Sequence, residues 1–89
     1  MASSSDSPLT RADHYILEFL DKVDGVQTPK SIAPNIGPPD GYNQKYVGQR
    51  CRQLDEWGLL ERTDRGLYRI TDRGRAYLAG RFDPSRLSE

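Results

Sequence analysis

The chain is 89 residues long and carries 13 Lys+Arg against 13 Asp+Glu, with one cysteine and one histidine. That length holds one small domain around one core and leaves no room for a deep catalytic cleft. One Cys and one His exclude an internal disulfide and a four-ligand zinc site within the chain, and no apolar run approaches the roughly 18 residues that span a bilayer.

Residues 1–9, MASSSDSPL, are Ser-rich with no apolar periodicity, the composition of a disordered leader without the apolar core of a signal peptide. The expected protein is therefore cytoplasmic, with no membrane partner. Thr10 opens a capping-box pattern with Asp13. Ala12, Ile16, Phe19, Leu20 and Val23 follow at helical spacing and predict a helix over Arg11–Val23. His14, beside Asp13, Glu18 and Asp21, reads as a surface or half-packed histidine, because no second ligand or catalytic partner accompanies it. Gly25 ends this helix, and Val26-Gln27 can supply a very short strand.

Thr28-Pro29 is a strong helix start, since proline at the first helical position has no N–H to lose. Ile32, Ala33 and Ile36 would form the buried side of this second helix. Pro34 sits where its missing N–H should have met the Lys30 carbonyl, so the helix is expected to be short or kinked. Gly37-Pro38-Pro39-Asp40-Gly41 follows as a rigid, non-helical connection, longer than a tight helix-turn-helix uses.

Residues 42–57, YNQKYVGQRCRQLDEW, read as one amphipathic helix. Asn43 is the expected N-cap, and Tyr42 before it can pack on Val47 as a hydrophobic staple. Val47, Cys51 and Leu54 share a buried stripe with Gly58, which is the stop signal. Cys51 on that stripe reads as a small core hydrophobe and not as a redox switch. The opposite face presents Lys45, Gln49, Arg52 and Glu56, flanked by Tyr42, Tyr46 and Gln53. Arg50 is ambiguous: it borders the buried stripe, so it is open either to DNA contact or, instead, to an intramolecular pair with Asp55, Glu56 or Glu61.

Beyond Gly58, residues 59–63 and 67–71 predict two strands around Asp64-Arg65-Gly66, with Tyr68 and Ile70 pointing inward and Leu67 and Arg69 outward. Thr71 caps a last helix over 72–80, with Ala76, Tyr77 and Leu78 as its apolar residues. Residues 81–89 are a tail or a small packing strap. The organisation is thus a leader (1–9), one α+β domain (10–80) built from a three-helix core, a two-stranded hairpin and a C-terminal helix, and a tail (81–89).

Charge is segregated although it sums to zero. Residues 1–40 contain three basic and six acidic side chains, whereas 41–89 contain ten and seven. The basic half holds the amphipathic helix and the hairpin, a distribution that fits either a nucleic-acid footprint or ordinary solvated charge.

GLLERTDRGLYRITDRGRAYLAG at 58–80 is similar to the wing and closing helix of winged-helix transcription regulators. With DHYILEFL at 13–20, TPKSIAPNI at 28–36 and KYVGQRCRQLDEWGLL at 45–60, the chain resembles the small repressor-like winged-helix proteins of haloarchaea and their phages, the phi-H repressor type. Ten arginines against three lysines agree with a halophilic source, whereas the neutral charge departs from the acidic norm of such proteins. The resemblance implies a double-stranded DNA-binding transcriptional regulator, probing the major groove with the helix at 43–57 and the flanking backbone or minor groove with the wing at 62–69.

Amide and cationic side chains match the donor and acceptor pattern of adenine and guanine edges, which points to Gln44, Lys45 and Gln49 for bases. Tyr46 and Arg52 are placed for phosphates, and Asn43 lies at the same helix start. Thr28 and Lys30 can offer backbone N–H groups and a charge to a phosphate. Arg65 at the wing tip is the minor-groove candidate, with Arg62 and Arg69 supporting the wing. Trp57, Tyr77 and Phe82 are core or interface aromatics, and a homodimer on a two-fold operator is the natural arrangement. No cofactor, metal or small-molecule effector is indicated, so control would rest on abundance or a partner. Two readings stay open: a repressor, or a winged helix used as a protein-interaction module of a larger transcription or replication assembly. With no nucleophile, metal or phosphate-loop motif, an enzyme is not expected.

Overall fold

The computed structural model describes residues 9–23, 25–37, 41–63 and 65–82. The leader up to residue 8, Asp24 after the first helix, Pro38 to Asp40 in the connection, Asp64 of the turn and the tail from residue 83 lie outside the described residues. Helix α1 spans Arg11–Val23, and its start is a reciprocal capping box: the Thr10 backbone N–H donates to Asp13 Oδ2 (2.9 Å) and the Asp13 N–H donates to Thr10 Oγ1 (3.2 Å). The buried side of α1 is Ala12, Asp13, Ile16, Leu17 and Leu20. It is rotated from the expected stripe: Leu17 is fully covered, Phe19 only partly, and Val23 remains 38% exposed.

Helix α2 is the single turn Pro29–Ile32, which tightens into a 3₁₀ turn over Ala33–Asn35. Thr28 caps it by accepting from the Ser31 N–H at 3.2 Å. The early end follows from Pro34, which cannot donate to the Lys30 carbonyl, so the backbone closes with shorter-range bonds. In the connection that follows, the Tyr42 N–H returns to the Ala33 carbonyl (3.2 Å). Gly41 sits there at φ 73°, where an added Cβ would lie 2.8 Å from the same carbonyl oxygen. Only glycine allows the chain to pass that close to α2 in a left-handed conformation.

Helix α3 spans Gln44–Glu56 and ends in a Schellman motif, with Leu59 N–H donating to the Leu54 carbonyl (2.9 Å) and Gly58 N–H to Asp55 (3.0 Å). Strands β1 (Leu60–Arg62) and β2 (Tyr68–Ile70) pair antiparallel in the register Leu60↔Ile70, Glu61↔Arg69 and Arg62↔Tyr68. The expected short strand at Val26-Gln27 is one bridge, Gln27 to Tyr68, formed by two backbone bonds of 2.9 and 2.8 Å on the free edge of β2. Helix α4 (Asp72–Leu78) is capped by Thr71, whose hydroxyl accepts from the Gly74 N–H and donates to the Gly58 carbonyl at 2.6 Å. One hydroxyl thus ties the end of α3 to the start of α4.

The core joins Ile16, Leu17 and Leu20 of α1, Ile32, Ala33 and Ile36 from the second helical segment, Val47, Cys51 and Leu54 of α3, and Leu59, Leu60, Tyr68 and Ile70 from the hairpin. From α4 the one buried residue is Gly74; Ala76, Tyr77 and Leu78, expected to carry its packing, are half-buried. Among the described residues no helix is long and apolar enough to cross a membrane.

Candidate nucleic-acid interface

The start of α3 is fixed by Asn43, whose side-chain oxygen accepts from the Lys45 and Tyr46 N–H groups at 2.7 and 3.3 Å. Its buried side is Val47, Cys51 and Leu54, all fully covered as the spacing predicts. Those anchors turn Gln44, Lys45, Gln49 and Arg52 outward, where all four are exposed. Gly48, between them, faces the ring of Pro29 at the crossing of α2 and α3.

Strand alternation decides which hairpin side chains join this face. Arg62 and Tyr68 form a cross-strand pair on the same side of the ribbon as Leu60 and Ile70, the side turned to the core. Because Arg62 lies at the strand end, its side chain reaches past the core into a groove between α3 and the hairpin. That groove encloses about 370 Å³ and is lined by Gln44, Lys45, Gln49, Arg52 and Arg62, with Pro29, Gly48, Gly66 and Tyr68 as its floor and end. Three cations and two amide side chains converge there with no carboxylate among the described lining residues, in a chain whose charges cancel. The Arg62 N–H points to Asp55 Oδ1 (3.4 Å), which links the hairpin to the last turn of α3.

The remaining expected residues lie elsewhere. Arg69 projects from the other side of the ribbon, where it pairs with Glu61 (2.6 and 2.8 Å) beside Gly25, Val26 and Asp72. Arg65 is exposed at the tip beside Gly66, and Lys30 is exposed on α2. Thr28 and Asn43 spend their side-chain oxygens as helix caps, so their first role is to shape α2 and α3. Tyr46 is 37% exposed and leans on Tyr42 (ring centroids 6.1 Å apart), which in turn leans on Tyr15 (6.2 Å). Tyr42 is partly buried against the core and adds this row of rings at the start of α3. Glu56 is exposed one turn beyond Arg52, within reach of the Gln53 amide (3.4 Å).

Arg50 corrects the expected pairing. Its Nε and Nη2 donate to Asp13 Oδ1 (2.8 Å) and Oδ2 (2.6 Å), not to Asp55, Glu56 or Glu61, and Asp13 is 0% exposed. The hydrogen bond to Asp13 raises the Arg50 pKa against the opposing effect of burial. The guanidinium also lies 5.8 Å from the Trp57 ring centroid. The sequence signals the need for a cation here but not which one: Asp13 falls one residue after Ala12 and three before Ile16 on the core side of α1, where a carboxylate requires a positive partner. Burial, reinforced by the Asp13 charge, pushes the Cys51 thiol up to about 12, as suits a core residue. His14 is half-packed, 3.1 Å from Glu18 and edge-on to Tyr77. Trp57, Tyr77 and Phe82 are half-buried against the core, with the Arg73 guanidinium over the Phe82 ring.

Residues 7–89 match the family model of the winged helix-turn-helix phage repressor. Among solved structures, the crystal structure of the PhiH1 repressor-like protein from Haloarcula marismortui is similar at 30% sequence identity and a TM-score of 0.79, over 90% of this chain and 88% of that one. No curated protein matches.

Proposed function

This chain belongs to the winged helix-turn-helix phage repressor family and is a DNA-binding regulator, and we propose that it acts as a sequence-specific repressor of transcription. In this reading α3 enters the major groove of duplex DNA and the hairpin rests on the flanking backbone or minor groove. The observation that carries it is the carboxylate-free groove between α3 and the hairpin, which gathers Gln44, Lys45, Gln49, Arg52 and Arg62. Gln44 and Gln49 can each present a donor and an acceptor to one adenine, and Lys45 two donors to a guanine edge. Arg52, Arg62 and Lys30 border the groove or α2 as phosphate contacts, with Tyr46 at the helix start and Arg65 reaching toward the minor groove. Arg69, committed to Glu61, braces the hairpin. Thr28 and Asn43 contribute by capping α2 and α3, which sets where Lys30, Gln44 and Lys45 stand.

Selection of bound duplexes from a random pool, followed by mobility shift at about 50 and 200 mM salt, tests this directly. A repressor of this kind enriches a defined sequence and binds more weakly at the higher salt. Absence of any shift at low salt would sink the proposal and leave the protein-interaction module.

A further inference from the structure

We propose that the buried Asp13–Arg50 fork is a positioning clamp that sets the rotation of α3 about its own axis, and with it the sequence discrimination of the DNA-facing residues; this rests on the repressor reading above. The pair joins α1 to α3 across 37 residues of chain, and both carboxylate oxygens are engaged by the guanidinium. Oδ2 also accepts the Thr10 N–H, so the cap of α1 and the rotation of α3 are held through one group. The Arg50 guanidinium also lies over the Trp57 ring at the end of α3, 5.8 Å from its centroid.

The placement is opposite the reading face. At about 100° per residue, Arg50 lies roughly 160° around α3 from Arg52 and roughly 140° from Lys45. The core anchors of the helix, Val47, Cys51 and Leu54, are apolar and non-directional, so they resist separation of α3 from the core better than they resist a roll, while the polar ties from the Arg62 N–H to Asp55 (3.4 Å) and from Arg73 Nη1 to the Trp57 carbonyl (3.1 Å) hold its C-terminal end. A roll of about 20° would carry side chains at a radius of about 5–6 Å through about 2 Å, beyond the roughly 0.5 Å that a binding constellation tolerates. A bidentate guanidinium–carboxylate fork is planar and directional, which makes it suited to that constraint. A buried ion pair is in general a poor source of net stability compared with an apolar pair of similar volume, whereas specifying register is its best-attested use.

The test uses two variants of unchanged net charge: Arg50→Lys, which keeps the charge and loses the fork, and the double variant Asp13→Leu with Arg50→Met, which replaces the pair by apolar side chains. The probes are a duplex selected by the wild-type protein and a random duplex of equal length. Backbone N–H residual dipolar couplings report the orientation of α3 against α1. The expected result is a folded protein in which α3 turns by about 10–20° and preference for the selected duplex falls roughly tenfold or more, with random-duplex affinity retained. Couplings and preference that both stay at wild-type values overturn the clamp, and so does movement of only one of them. A parallel loss of both affinities also overturns it, since that is the mark of a general loss of folded protein. If the wild type binds no duplex at low salt, the repressor reading fails, and the couplings alone decide whether the clamp sets the rotation of α3.

Discussion

Lys45 and Gln49 lie one helical turn apart on the exposed side of α3, and neither contributes to the buried stripe of that helix. Removing both side chains should therefore alter recognition without altering the fold. Lys45→Ala with Gln49→Ala is expected to reduce the preference for the selected duplex about 100-fold or more, since each good base contact carries about 1–3 kcal/mol of discrimination. The circular dichroism spectrum should be that of the wild type. Arg65→Ala should instead weaken selected and random duplexes alike, because a tip guanidinium contacts backbone and groove shape. If neither variant changes binding while both remain folded, the reading face has been misassigned.

Cys51 makes the residue-scale case for pH. Its pKa rises from an ordinary 9.0 to about 12 on folding, so between those values the unfolded chain loses a proton that the native protein keeps. The unfolded state then binds fewer protons, and stability falls as pH rises; the contribution is fully present below about pH 9 and is lost toward pH 12. The slope from this one group approaches about 1.4 kcal/mol per pH unit in that window. Tyr68 and Tyr77, both raised by burial, add in the same direction, so the comparison must be with Cys51→Ala. Denaturant titrations from pH 8 to 10.5 should converge for wild type and variant, and curves that stay parallel would contradict the assignment.

At the scale of elements, two glycines in helices behave oppositely. A Cβ on Gly74 would lie 2.5 Å from the Leu59 carbonyl oxygen and 2.7 Å from Ile70 Cγ1, where the hairpin meets α4. Gly74→Ala must push the two apart, and a cost of about 1–3 kcal/mol is expected. For a domain of this size that lowers Tm by several degrees per kcal/mol. A Cβ on Gly48 would meet only the Pro29 ring, at 3.8 Å, an ordinary contact, so Gly48→Ala should gain about 0.5–1 kcal/mol from helix propensity. Thermal melts of both check the pair, and a destabilised Gly48→Ala would mean that α2 and α3 approach more closely than described.

The same scale explains what could be read from the chain in advance. Helices α1 and α3 were legible because their starts are written locally: Thr10 with Asp13, and Asn43 with the amides two and three residues on. The break in α2 was legible at Pro34 for the same reason. What the sequence hid depends on contacts between distant segments. The separation of Arg62 from Arg69 follows from which side of a two-residue alternation faces α3, and Gly74 is buried only because Leu59 and Ile70 arrive there. The partner of Arg50 lies on another helix, whereas Asp55, Glu56 and Glu61, nearer in sequence, are on its own helix and the next strand.

For the whole molecule, the zero net charge conceals a dipolar arrangement that governs how binding should respond to salt. Glu18 and Asp21 lie on α1, engaged by His14 and Arg75, while the groove between α3 and the hairpin carries cations alone among its described charged residues. If Lys30, Arg52, Arg62 and Arg65 each neutralise one phosphate, the slope of log K against log salt should be about −3.6 for one copy. Two copies on a two-fold operator would give about −7, with half-sites one helical turn, about 34–36 Å, apart. The molecule measures 36 × 27 × 20 Å, a size commensurate with one copy per helical turn on one face of the duplex. Binding titrations over a range of salt, with sedimentation of the complex, therefore measure charge contacts and stoichiometry together. Arg65→Ala should lower the slope by about 0.9 per copy. A wild-type slope near zero would mean that the phosphate backbone is not the surface this groove meets, however basic its lining.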